Sequence, residues 1–110
     1  MKVMITANDS SIDSMVSDRF ARAPYFIVYD IESQKSEVLE NEFLKNSHGV
    51  GPKAVQIAVD NGVAALISAV PGGNSMEALK KAEIDVYDGR GLKVSEAISK
   101  MKSGELNKIL

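Results

Sequence analysis

Ser17-Asp18-Arg19-Phe20-Ala21-Arg22-Ala23-Pro24-Tyr25-Phe26 is the stretch on which the reading of this chain turns. It sets arginines and aromatics where a long polar segment gives way to an apolar run, Tyr25-Phe26-Ile27-Val28-Tyr29. That run is continuous and rich in β-forming residues, the pattern of a central strand covered on both faces. Upstream, Val3 to Thr6 reads as a short buried strand, ended by the polar residues Asn8 to Ser14. Downstream, Glu32-Ser33-Gln34-Lys35 reads as a turn into Ser36-Glu37-Val38-Leu39-Glu40, a more polar strand suited to an edge. Val63 to Ser68 and Ile84 to Tyr87 supply two more strands.

Helices fit between and after these. The first is expected from about Pro52 to Asn61, with Pro at its first position and Gly62 as its left-handed C-terminal cap. Its apolar set is Ala54, Val55, Ala58 and Val59. The second is expected to start at Asn74, capped by that side chain, with Glu77 completing a box-like arrangement. Met76, Leu79 and Ala82 form its expected buried side. The third carries Val94, Ala97, Ile98 and Met101 at helical spacing and stops at Gly104. Leu106, Ile109 and Leu110 either pack as a short tail or fray.

The order β-β-β-α-β-α-β-α gives an α/β class. Strands preceded by helices call for parallel pairing with right-handed crossovers. A mixed five-stranded sheet in the order 3-2-1-4-5, with strand 2 antiparallel and three helices, satisfies these rules. Strands 1, 3, 4 and 5 then end at one edge, where strand 2 begins. Residues 7–24, 41–51, 69–74 and 88–92 crowd together there. Loops at the carboxyl ends of parallel strands are where α/β proteins usually bind ligands.

The chain has 110 residues, so a single domain over 1–110 is expected, and 45% hydrophobic content supports one packed core. A formal charge of -2 and scattered Lys and Arg argue against a nucleic-acid partner held by a broad basic surface. Cysteine is absent, which removes disulfides, thiolate metal sites and cysteine nucleophiles together. Met1 to Thr6 does not read as a signal segment, and no apolar run approaches the ~20 residues of a membrane span. A cytoplasmic monomer with no membrane partner is the expectation.

Two Gly-rich junctions, His48-Gly49-Val50-Gly51-Pro52 and Pro71-Gly72-Gly73-Asn74, each open an expected helix. A helix N-terminus exposes unpaired N–H groups and about half a positive charge, and glycine lets a ligand approach the backbone closely. Arg19 and Arg22 could add permanent positive charge, or could brace the loop by pairing with Asp13, Asp18 or Asp30. His48 is the single histidine; its imidazole could ligate a metal or donate to a sulfide, or serve as an ordinary loop residue. Phe20 reads as a core anchor. Met15, alone among the methionines, falls in a loop near the cleft.

These segments resemble the dinitrogenase iron-molybdenum cofactor biosynthesis family, over nearly the whole chain. The pieces that carry the resemblance are Ser17 to Phe26, His48 to Gly51, and Gly72-Gly73-Asn74 followed by Glu77-Ala78-Leu79. The family often has glycine where this chain has Ala21. The resemblance implies a ribonuclease-H-like sheet and a non-enzymatic carrier of an anionic metal-sulfur cluster, iron-sulfur or molybdenum-containing, held without covalent anchors. It further implies a donor or recipient protein as partner. Arg19, Arg22, His48, Gly49, Val50, Gly51, Gly72, Gly73 and Asn74 would contact the cluster, with His48 as the metal ligand. A regulatory module that binds a phosphorylated metabolite at the same cleft is the alternative. A metal-dependent hydrolase would need converging carboxylates, and the nearest, Asp9 and Asp30, fall at opposite ends of their strands.

Overall fold

The computed structural model describes residues 1–45 and 49–110. Strands β1 (Lys2–Ala7), β2 (Tyr25–Asp30) and β3 (Ser36–Glu40) come first, followed by α1 (Val50–Asp60) and β4 (Val63–Ser68). Then come α2 (Gly73–Lys81), β5 (Asp85–Asp88), α3 (Val94–Ser103) and β6 (Asn107–Lys108). All six strands form one sheet in the order β3-β2-β1-β4-β5-β6. β2 is antiparallel to β1 and β3, whereas β1 with β4 and β4 with β5 are parallel.

The five-stranded expectation is thus corrected to six. The extra strand is the polar tail: Tyr87 pairs with Lys108 and Asp88 with Asn107, antiparallel. Backbone bonds between Val86 and both Ile109 and Leu110 continue the pairing. Ile109 and Leu110 pack against one core cluster and Leu106 against the other, so the tail packs rather than frays.

Alternate strand positions send side chains to opposite faces. Met4, Phe26, Val28, Leu66 and Val86 pack with Ala54, Val55 and Ala58 of α1 and Leu79 of α2. Val3, Ile5, Ile27, Ala65 and Ile67 pack with Val94, Ala97 and Ile98 of α3. Both faces of the central strands are therefore covered, which explains their unbroken apolar runs. Each Val, Leu, Ile, Phe or Met side chain among them contributes roughly 1.5–3 kcal/mol of burial against the ordering entropy of the chain. Phe20 is buried in the first of these clusters, as an anchor for the loop that precedes β2.

The helix boundaries differ from expectation in instructive ways. α1 begins at Val50, two residues before Pro52, and its N-cap is Gly49 at φ 74°, in the left-handed region that glycine tolerates. Pro52 is still within the first turn, where no N–H partner is needed. Val50 joins Ala54, Val55 and Ala58 as the buried side, while Val59 is 45% exposed. α2 begins at Gly73 with Gly72 as N-cap, so Asn74 lies inside the helix and does not cap it. The buried side of α2 is Ser75 and Leu79, and Ala82 is exposed. α3 ends as expected, at Gly104 in a left-handed cap.

Candidate functional site

The strand registers bring the expected loops to one edge. Ala7 pairs with Tyr25, Tyr25 with Glu40, and Ser68 with Asp88, so the carboxyl ends of β1, β3, β4 and β5 meet the start of β2. Hydrogen bonds then knit these loops to one another. The Ser17 N–H donates to the Thr6 carbonyl at 2.9 Å, and the Val16 N–H to the Leu92 carbonyl at 2.9 Å. The Gly89 N–H donates to the Ser68 carbonyl at 3.0 Å. Met15 bridges to Lys93 and is 42% exposed beside this loop.

Asn41 is the brace that sequence reading missed. It is buried, and its side-chain amide donates to the carbonyls of Ala21 at 2.9 Å and Ala23 at 2.8 Å. Its Oδ1 accepts from the Phe43 N–H at 2.9 Å. One side chain thus ties the arginine-bearing loop to the loop after β3. Arg22 adds a second tie: it is half-buried, and its guanidinium donates to the Leu44 carbonyl at 3.1 Å. Arg19 is exposed, and its backbone N–H donates to the Ser17 hydroxyl at 3.2 Å.

The two Gly-rich junctions come together. α1 packs on α2, and a Cβ built on Gly51 would lie 2.4 Å from the Ser75 Oγ. The first turns of both helices are therefore neighbours, with their unpaired N–H groups and positive dipole ends on the same edge. A Cβ at Gly49, Gly72 or Gly73 would meet nothing within 4 Å among the described residues, so the backbone there is open toward them. Val50 is buried, which leaves only its backbone to serve a ligand; Asn74 is exposed. Thr6 lies at the end of β1 with Oγ1 fully buried and without a hydrogen-bond partner among the described residues. It shares the strand face of Met4, toward α1 and α2. His48 lies outside the described residues.

Asp88, at the end of β5, receives two hydrogen bonds from the Arg90 guanidinium, at 3.0 and 2.9 Å. Those bonds hold its carboxyl below the ordinary aspartate value. Asp9 and Asp30 do not converge: Asp30 pairs with Lys2 at the far end of β1, and Asp9 follows its near end. Among the described residues, no group of three His, Cys, Asp or Glu could hold a metal ion. No helix among them is long and apolar enough to cross a membrane.

Known proteins match this chain over almost its full length. The sequence model of the dinitrogenase iron-molybdenum cofactor family matches residues 1–104. The apo orange protein of Desulfovibrio gigas superposes with a TM-score of 0.92 at 29% identity, over 97% of this chain and 91% of that one. A Thermotoga protein described as a putative NifB protein is 46% identical, with a TM-score of 0.86 over 98% of this chain and 92% of its own. An uncharacterised protein of Methanocaldococcus jannaschii is 28% identical over 99 residues, 87% of this chain and 84% of that one.

Proposed function

The chain belongs to the dinitrogenase iron-molybdenum cofactor family, and from that premise we propose a non-enzymatic carrier for an anionic metal-sulfur cluster or its precursor. The observation that carries this reading is the packing of the α1 and α2 N-termini against each other at Gly51 and Ser75, beside open glycine backbone. Two dipole ends and several unpaired N–H groups suit a compact polyanion. Arg19 and Arg22 add charge on the facing loop. The cluster is cargo, handed between a donor and a recipient protein.

The chemistry of the donor set fits release as well as capture. There is no cysteine to bond iron or molybdenum through thiolate. Without a three-residue ligand group among the described residues, the grip falls to backbone N–H groups, arginines and His48 as a single labile ligand. Many weak contacts without a covalent anchor allow transfer without protein unfolding. A relative with nearly the same backbone is named for its colour and solved in an apo form, which supports a removable visible chromophore.

Anaerobic purification, followed by visible absorption and assay of iron, molybdenum, copper and labile sulfide, tests the reading. A visible band with metal and sulfide in fixed ratio is the expected result. A colourless protein whose bound anion is a phosphate ester overturns it in favour of the regulatory alternative.

A further inference from the structure

The two edges of the sheet are treated differently. β6 covers β5, but among the described residues no strand pairs with the outer side of β3. In an antiparallel ladder, hydrogen-bonded pairs alternate with pairs whose backbone groups point outward. The Asp30 N–H donates to the Lys35 carbonyl and the Asn41 N–H to the Pro24 carbonyl, which fixes the phase between them. Ser36, Val38 and Glu40 stand opposite Tyr29, Ile27 and Tyr25 in the alternate positions. Their N–H and C=O groups therefore face away from β2. The strand has no proline, lysine or register shift to blunt it, and its charges are the exposed Glu37 and Glu40, which leave it open to a basic segment while repelling an acidic one.

Beside this edge lies a groove of about 390 Å³ between β3 and α1. Leu39, Phe43 and Ile57 supply its apolar lining and Glu42 and Asp60 its carboxylates, with no cation among the described lining residues; Glu40 lines it at a strand position whose side chain belongs to the opposite face. Lys53 is engaged over the Phe43 ring at 4.7 Å. Val38 is 42% exposed at the edge itself.

We propose that β3 and this groove dock an extended segment of a partner protein, added as a strand, in which basic side chains alternate with apolar ones. Main-chain pairing with Ser36, Val38 and Glu40 supplies affinity, and the groove selects sequence. Lysine or arginine is favoured because the groove presents the Glu42 and Asp60 carboxylates, with Glu40 at the strand edge beside it. A second copy of this chain would bring its own Glu42 and Asp60 to the same place, which disfavours self-pairing. Among the described residues, none of the glycine-junction residues lines this groove, so the inference does not rest on the carrier reading.

The test uses the full chain with two capped hexapeptides, one alternating lysine and valine, the other glutamate and valine, followed by backbone-amide NMR and hydrogen exchange. The lysine peptide is expected to shift the Ser36, Val38 and Glu40 amides and to slow exchange at Val38 about tenfold or more, as ladder pairing does. The E40K/E42K/D60K variant, altered only at exposed positions, should lose that binding while keeping its circular dichroism spectrum. Val38→Pro, which removes an outward donor and leaves the β2 ladder bonds in place, should lose the peptide-induced shifts of the Ser36 and Glu40 amides. Equal binding of both peptides, no binding of the lysine peptide, or shifts confined to the glycine-bordered edge overturns the proposal. So does protection of the β3 amides that grows with protein concentration alone, since the occupant would then be a second copy.

Discussion

Ser75 fills the space that any side chain at Gly51 would need: a Cβ there would lie 2.4 Å from the Ser75 Oγ but 3.8 Å from the Ser75 Cβ. The hydroxyl is thus the whole of the conflict. Gly51→Ala is expected to cost about 1 kcal/mol, by forcing the hydroxyl to rotate or the helix starts to spread. In a Ser75→Ala background the same change meets ordinary contact and gains helix propensity, so it should be neutral or stabilising. Thermal melts of the four-member cycle read the coupling. An additive cycle would mean that the helix starts are not in contact at this point.

Asn41→Ala should be among the more damaging polar-to-alanine changes in this chain. It removes two hydrogen bonds to the Ala21 and Ala23 carbonyls and one from the Phe43 N–H. The Ala23 contact is buried, and an orphaned buried polar group costs on the order of 1–3 kcal/mol. Denaturant unfolding should show that loss, with hydrogen exchange rising first at residues 17–24. Unchanged stability would show that water replaces the amide without cost.

Much of this arrangement was legible because central strands and their crossovers are written in unbroken apolar runs. Tyr25 to Tyr29 and Val63 to Ser68 announced covered strands, and the helices between β3, β4 and β5 forced the loops to one edge. β6 was not legible, since Asn107 and Lys108 are polar and their pairing is set by Val86 binding Ile109 and Leu110 across the chain. The helix starts were misread by one or two residues, because glycine served as N-cap at Gly49 and Gly72 where proline or asparagine was expected to mark the boundary. Asn41 and Thr6 carry no local signal: one reaches 18 and 20 residues back for its carbonyls, the other matters only by what fails to bond it.

His48, next in sequence to Gly49, offers a single-residue test of the carrier reading. If its imidazole ligates the cargo, His48→Ala should keep the fold while stripping or blue-shifting the cluster absorption. Wild-type binding should weaken as pH falls below about 6.5, where protonation occupies the lone pair. The mutant should retain weak binding with little pH dependence, because backbone N–H groups do not titrate. A mutant with wild-type affinity, spectrum and pH profile assigns the grip to the glycines and arginines alone.

Arg19 and Arg22 should separate cleanly into a ligand group and a brace. Arg22 is half-buried and bound to the Leu44 carbonyl, so Arg22→Ala should lower the melting temperature as well as the affinity for cargo. Arg19 is exposed, and among the described residues only its backbone N–H engages the Ser17 hydroxyl, a bond that side-chain truncation leaves in place. Arg19→Ala should therefore leave the melt unchanged. A charge-assisted contact with an anion is worth roughly 1.5–3 kcal/mol, so its loss should weaken binding by about tenfold or more. The salt dependence of binding should flatten in parallel, since one fewer charge is screened. Arg22→Lys should keep charge near the edge but lose the planar donor geometry, recovering part of the affinity and little of the melt. Equal melting losses from both alanine variants, with affinity untouched, would make both arginines braces and leave the helix termini and His48 to hold the anion.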